Sequence, residues 1–134
     1  MALRQRIAKA QNYKVEIRKQ VKKDLEQRTK CFSLAAIKFA DALPRNRASD
    51  VLARQFLRSA TSIGANYREA NRGVSRADFA NKIGTVQKEA SETQYWIELL
   101  IKAGIGARDS AQDLHKEPSE LLAIFTAIRK KLKQ

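Results

Sequence analysis

The side chains that most often carry catalysis are sparse in this sequence. His115 is the single histidine and Cys31 the single cysteine among 134 residues. A di-iron site in a helical bundle needs inward carboxylates and two Glu-x-x-His pairs, but Gln112 stands three residues before His115. Cys31 has no evident histidine partner and is expected to be a small core residue. With no phosphate-binding glycine loop and no nucleophile elbow, the sequence predicts no catalytic residue, metal or cofactor, and no enzyme.

Three polar residues beside the apolar stripes of two helical patterns could form a network. Asn66 and Glu69 are three residues apart, which places them on one helix face, and Glu89 adjoins the stripe of the next helix. If they face one another, they could bind basic neighbours and fix the helix register or a subunit contact. A binding role is the alternative. The basic neighbours considered are Arg58, Arg68, Lys82 and Lys88.

Basic residues are the chemistry that this sequence offers in abundance. Lysine and arginine number 27 against 14 acids, which gives a formal net charge of +13. Such an excess favours polyanions, either nucleic acid or anionic lipid, although a merely basic surface is the alternative. Arginine suits phosphate because its planar fork donates two hydrogen bonds at once. The candidate nucleic-acid-binding residues are Lys14, Arg18, Lys19, Lys22, Lys23, Arg54, Arg58, Arg68, Arg72, Arg76, Arg129, Lys130 and Lys131.

Residues 1–23 form a segment apart from the remainder. They hold eight basic residues and one acid, Glu16, which is +7 of the total charge. We interpret them as a basic N-terminal arm, which could be helical and continuous with the first bundle helix, and which contacts nucleic acid or a partner. A solvated, partly disordered extension is the alternative. The weak helical stripe of the arm consists of Leu3, Ile7, Ala10, Ile17 and Val21.

Two long apolar stripes organise the centre of the chain. The first runs from Leu52 to Ala70 and the second from Phe79 to Leu100, both in steps of three and four residues, which is typical of helices. The polar run NRGVSRADF separates them and predicts a turn. Gly73 suits a left-handed position at the end of the first helix, and Ser75 with Asp78 resembles a capping box of the second.

The preceding helix is predicted from about Asp24 to Leu43, where Pro44 ends it. Its stripe consists of Phe32, Ala36, Phe39 and Leu43, and Leu34 and Ile37 are expected to widen it. In the loop after Pro44, Ser49 is the expected N-cap of the next helix.

The last helix completes an all-α, up-down-up-down four-helix bundle over residues 24–134. The third helix is expected to stop near Gly104 and Gly106, and the fourth to begin after Asp109 or Ser110. Pro118 lies within the pattern of the fourth helix, and either kinks it or marks a restart.

Residues 43–101 resemble a known family. The runs LPRN and LRSATSIGANYREANRGVSRADFANKIGTVQKEASETQYWIELL, preceded by DLEQRT and IKFADALP, are similar to bacterial four-helix-bundle proteins first noticed as reading frames in intervening sequences of large-subunit ribosomal RNA genes. The resemblance covers about residues 24–132 and leaves out the arm. It implies a small four-helix bundle that assembles into a ring-like homopentamer.

The resemblance also indicates a function. The family is similar in fold to the accessory variability protein of diversity-generating retroelements, a basic pentamer that binds nucleic acid and its partner reverse transcriptase. The leading hypothesis is therefore a non-enzymatic, homo-oligomeric adaptor that contacts RNA or DNA phosphates, with a reverse transcriptase and template RNA as retroelement partners. A ring-shaped protein-interaction scaffold without nucleic-acid binding is the alternative.

A membrane role is disfavoured by the sequence. It contains no apolar run of about 18 residues, and no apolar run comes after the N-terminal basic residues, so neither a span nor a secretory signal is predicted. The arm is also too weakly apolar to favour binding to anionic lipid. A cytoplasmic protein is expected.

Overall fold

Four α-helices joined by short turns make up the protein. The computed structural model describes residues 2–133 and contains α1 (Ala2–Asp41), α2 (Arg47–Asn71), α3 (Arg76–Ala103) and α4 (Arg108–Leu132). Helix α2 packs on α1 and α3, α4 packs on α3, and a smaller contact between α1 and α4 closes the bundle. Because each turn reverses the chain, the architecture is the predicted up-down-up-down four-helix bundle.

The predicted stripes of α2 and α3 form the core. Phe56, Ile63 and Tyr67 on α2 are fully or almost fully buried, as are Ile83 and Ile97 on α3. Aromatic rings join the helices, with 5.7 Å between the ring centres of Phe39 and Phe56 and 5.0 Å between those of Tyr67 and Phe125. The other buried apolar residues are Leu25, Phe32, Ala36, Leu43, Ala60, Ala70, Val86, Ala90, Leu100, Ala111, Leu121 and Phe125.

Helix α1 includes the arm, which agrees with the helical and continuous interpretation of that segment rather than with a disordered extension. It begins at Ala2 rather than near residue 24, so residues 2–23 of the arm continue the first bundle helix. Every side chain from residue 2 to residue 24 is exposed. At a rise of about 1.5 Å per residue, the arm extends about 33 Å beyond the packed part of the helix.

Two predictions about α1 are wrong, because residues expected to be buried lie on its exposed outer face. Leu34 and Ile37 do not widen the core stripe, since they are 61% and 43% exposed. Leu34 is two residues from both Phe32 and Ala36, about 200° around the helix, and therefore points away from the core. Cys31, expected in the core, is also exposed.

Helix α2 starts earlier than predicted. Asn46, not Ser49, is its N-cap, because the extended backbone of Asn46 lets its side-chain oxygen accept the N–H of Ser49 at 3.0 Å. Ser49 lies inside the first turn and is buried.

The two turns that flank α3 differ in backbone conformation. Gly73 does not adopt the predicted left-handed conformation. The end of α2 is closed instead by the N–H groups of Arg72 and Gly73, which donate to carbonyls three residues back at 3.0 and 3.1 Å. Ser75 caps α3 as predicted by accepting the N–H of Asp78 at 3.0 Å. At the other end Gly104 is left-handed, with φ 68°, and terminates the helix.

Helix α4 begins at Arg108, before the predicted Asp109 or Ser110, and no side chain caps it. Asp109 lies in the first turn, where its negative charge interacts favourably with the positive end of the helix dipole. Pro118 is buried inside α4, and the helix runs on through it without a restart. Within residues 2–133, no helix is both long enough and apolar enough to cross a membrane.

Candidate nucleic-acid interface

The fold brings most of the predicted basic residues to one end of the bundle. The guanidinium of Arg72, after α2, lies 3.4 Å from the Glu26 carboxylate of α1. The guanidinium of Arg76, at the start of α3, donates to the carbonyl of Leu132 at the end of α4 at 3.1 Å. The α2–α3 turn, the end of α4 and the base of the arm therefore meet at this end, which we call the arm end.

All the predicted basic residues except Arg54 and Arg58 lie at or beyond the arm end. The arm itself is strongly basic, and its Glu16 makes only an exposed contact of 3.6 Å with Lys19. Such an exposed pair contributes little stability and leaves the arm highly positive. The residues grouped here are Lys14, Arg18, Lys19, Lys22, Lys23, Arg68, Arg72, Arg76, Arg129, Lys130 and Lys131.

Arg54 and Arg58 lie on the other half of α2, one helical turn apart. The Arg58 guanidinium contacts the carboxylates of Glu89, at 3.4 Å, and Glu92. Two carboxylates compensate its charge, so Arg58 is poorly placed to bind a phosphate. Arg54 is exposed beside the α1–α2 loop, away from the arm end.

Arg129 differs from its basic neighbours on α4. Lys130 and Lys131 are exposed, whereas Arg129 is half-buried and lies across α3. Its guanidinium carbon would be 2.9 Å from a Cβ atom added at Gly84, and one of its nitrogens donates to Gln87 at 3.4 Å. The missing side chain of Gly84 thus makes room for Arg129, which acts in packing as much as in surface charge.

The predicted polar residues make separate contacts rather than one network. Asn66 donates to the carbonyl of Ser62 within α2 at 2.8 Å. Glu69 pairs with Lys82 at 2.8 Å across the α2–α3 interface, and Glu89 pairs with Arg58. The two ion pairs join α2 to α3 at different heights, and within the described chain no hydrogen bond links Asn66, Glu69 and Glu89 to one another.

Helices α1 and α4 are joined by a salt bridge that the sequence did not indicate. The Arg28 guanidinium donates to both oxygens of Glu117, at 2.8 and 2.6 Å, and to Glu120 at 2.6 Å. These bonds, above all those to Glu117, raise the pKa of Arg28 despite partial desolvation. The contact closes the bundle where α1 meets α4, and because its partners are 89 and 92 residues apart, no local spacing predicts it.

Comparison with known proteins identifies the family. Residues 21–127 match the profile of the family described as 23S rRNA-intervening sequence protein. The chain belongs to this family. It is also similar to a solved structure, a protein of unknown function from the S23 ribosomal protein family of Bacteroides thetaiotaomicron VPI-5482, with 35% identity and a TM-score of 0.75. That match covers 81% of this chain and 97% of the other. No curated protein matches the sequence.

The 23S rRNA-intervening sequence protein match begins at residue 21, so nearly the whole arm lies outside it. The family relationship therefore accounts for the bundle, including the basic α2–α3 turn, and leaves the strongest concentration of charge unaccounted for. Fold alone does not assign an activity.

One cluster on this member of the 23S rRNA-intervening sequence protein family has the residue types of a catalytic triad. His115 contacts Glu98 at 3.0 Å through Nε2, and its Nδ1 lies 3.3 Å from the hydroxyl of Ser119. That hydroxyl also donates to the backbone carbonyl of His115 at 2.9 Å and accepts from Gln94 at 2.8 Å. Ser119 lies inside α4, where the helix already engages backbone N–H groups, so they are poorly placed to stabilise an oxyanion. The cluster joins α3 to α4.

Among residues 2–133, no three histidine, cysteine, aspartate or glutamate residues are grouped so as to hold a metal ion.

Proposed function

We propose that this protein is a non-enzymatic, homo-oligomeric adaptor that binds nucleic acid through lysine and arginine contacts to phosphates. The observation that supports the proposal best is the grouping of basic residues from α1, the α2–α3 turn and α4 at the arm end. A surface with one sign of charge attracts a polyanion and releases its counterions, so binding is sequence-tolerant and steeply dependent on salt.

The finer part of the proposal concerns assembly and partners. We infer a cytoplasmic homopentamer, as the family resemblance implies, acting as the accessory protein of a diversity-generating retroelement that binds reverse transcriptase and template RNA. Five copies would carry five times the +13 of one chain. Mutual repulsion of that size makes a polyanionic partner energetically favourable.

The arm provides the first test. Lys14, Arg18, Lys19, Lys22 and Lys23 are replaced together by glutamine, and binding of a fluorescent single-stranded RNA is measured by anisotropy at several salt concentrations. Each phosphate contact contributes about 0.7 to the slope of log affinity against log salt for a single strand, so loss of all five contacts lowers the slope by about 3.5.

A matched variant separates location from net charge. Lys38, Arg47, Lys88, Lys102 and Arg108 are exposed residues away from the arm, and their replacement by glutamine removes the same charge. We expect that variant to keep a near-normal slope. Equal losses in both variants would show a general charge effect and remove the arm from the proposal.

The alternative is a ring-shaped scaffold that binds only protein. Light scattering after size exclusion, at low and high salt, with and without RNA, distinguishes the two functions. A ring that takes up RNA at low salt and releases it at high salt supports the adaptor. A ring that ignores RNA and DNA at every salt concentration supports the scaffold, and a monomer contradicts the homo-oligomer.

A further inference from the structure

A shallow groove runs between α1 and α2 near the arm end. It encloses about 390 Å³, and Thr29, Ser33, Gly64 and Ala65 are among the small side chains that line it. Gly64 accounts for part of this shape, because a Cβ atom added there would lie 3.2 Å from the hydroxyl oxygen of Thr29. The two helices approach closely at this point, and their small side chains leave a depression open to solvent.

The edges of the groove are basic. The groove is lined by Lys23 and Lys30 of α1, Arg68 of α2 and Arg72 just after α2, together with a single acid, Glu26. Glu26 is 3.4 Å from Arg72, and within residues 2–133 no carboxylate lies within salt-bridge distance of the other three cations. The groove is thus a concentration of uncompensated positive charge, in contrast to Arg28 and Arg58, which each contact two carboxylates.

The spacing of the cations fits a phosphodiester chain. Seven residues separate Lys23 from Lys30, which is about 10 Å along α1. Phosphates of one strand repeat at about 3.4 Å along a duplex axis and lie farther apart along the strand itself, so a stretch of about 10 Å faces two or three of them. Arg68 on α2 and Arg72 just after α2 line the same stretch from the other side.

We propose that this groove binds consecutive phosphates of one nucleic-acid strand, with Lys30 and Arg68 as contacts alongside Lys23 and Arg72. The inference rests on the proposed nucleic-acid-binding function and gives it a defined site, including Lys30, which the charge pattern of the sequence did not single out. No aromatic ring is among the groove's described lining residues, so the groove offers no side chain for bases to stack on. Its contacts are therefore with the phosphate backbone.

The test removes Lys30 and Arg68, the two groove cations that belong to the bundle rather than to the arm and lie beyond salt-bridge distance of any carboxylate within residues 2–133. Lys30→Gln with Arg68→Gln is compared with Lys38→Gln and Arg47→Gln, which also takes one lysine from α1 and one arginine from α2, but at the opposite end. Binding of a fluorescent 20-nucleotide RNA, and of a duplex of that length, is followed by anisotropy between 50 and 300 mM KCl. For the single strand, loss of two contacts lowers the salt slope by about 1.4, so the variant binds about 25-fold more weakly than the wild type at 0.1 M salt if the two bind equally at 1 M. The control should change less than threefold.

A second variant tests the groove by shape. Ala65→Leu fills it without changing charge, and Ala123→Leu adds the same bulk at an exposed position on α4. We expect Ala65→Leu to weaken binding at least fivefold and Ala123→Leu to leave it unchanged, with both retaining the wild-type helical content and subunit count.

Each outcome decides between specific alternatives. A wild-type protein that binds neither RNA nor duplex overturns the proposed function and, with it, the groove. Binding by the wild type that survives Lys30→Gln with Arg68→Gln, or survives Ala65→Leu, overturns the groove alone. An altered subunit count in either groove variant also overturns it, because this face would then be a contact between copies.

Discussion

Two glycines inside helices provide a sharp test of the packing. Gly64 in α2 and Gly84 in α3 both lie in helix interiors, where replacing glycine by alanine stabilises a helix by about 1 kcal/mol if the space allows. The two sites differ in what an added Cβ atom would meet. At Gly84 it meets the guanidinium of Arg129, at 2.9 to 3.2 Å, and at Gly64 it meets Thr29 on the neighbouring helix, at 3.2 to 3.4 Å.

Although the contacts at Gly64 are longer than those at Gly84, we expect an added Cβ atom to cost more stability at Gly64. A guanidinium is the end of a flexible side chain, and moving it costs only the 3.4 Å hydrogen bond to Gln87 while it returns a buried, unpaired Nε of Arg129 to water. Gly84→Ala should therefore stabilise the protein by about 1 kcal/mol. Thr29 cannot move alone, since its hydroxyl is bonded to the carbonyl of Leu25 at 2.8 Å and its backbone carbon is among the contacted atoms.

Overpacking at Gly64 costs about 1 to 3 kcal/mol, which outweighs the gain in helix propensity. We expect Gly64→Ala to destabilise by about 1 kcal/mol, so the two variants differ by about 2 kcal/mol, or about 8 °C in midpoint for a chain of this size. Thermal and urea unfolding at one fixed protein concentration measure the difference, since assembly alters apparent stability. If Gly64→Ala proves as stable as Gly84→Ala, the close approach of α1 and α2 is wrong.

Further predictions concern two side chains. Burial raises the pKa of Tyr67 above the ordinary value of 10.0, so its neutral form stabilises the fold fully below that pH and the contribution is lost as pH rises through the raised value. Urea unfolding at pH values of about 8 and 11 should show wild type losing more stability than Tyr67→Phe, and parallel losses would contradict the burial of the hydroxyl. Cys31 is exposed, so Ellman's reagent should titrate one thiol per chain in the folded protein. A thiol that reacts only in urea would instead match the core position expected from the sequence.

The fold was largely predictable because its signal is periodic. The stripes from Phe56 to Ala70 and from Ile83 to Leu100 are nearly uninterrupted, and burial follows them residue by residue. Where hydrophobicity is not periodic, prediction failed. Leu34 and Ile37 are apolar but off the stripe, and Cys31 was assigned to the core from its residue type alone.

Helix ends and surface clusters depend on information that the local sequence lacks. Asn46 and Ser49 are both good N-caps, and the choice between them depends on where the chain turns after Pro44. The joining of Arg28 to Glu117, and of Lys30 to the same groove as Arg68, requires the helices to be placed first. By contrast, the grouping of the α2–α3 turn with the end of α4 is a direct result of up-down connectivity.

Because the arm is continuous with the packed part of α1, that packed part determines how the arm gains and loses helical structure. An isolated basic helix of this length would be marginal in water, because forming its first turn carries a nucleation cost. Here the bundle holds residues 25–41 as a folded nucleus, so the arm needs only propagation and unravels from the part farthest from the bundle. Its closely spaced cations oppose propagation at low salt, whereas a bound polyanion would neutralise them and favour the helical state of the arm. Helicity in the arm, and hence its reach, is therefore coupled to the ionic surroundings of the protein.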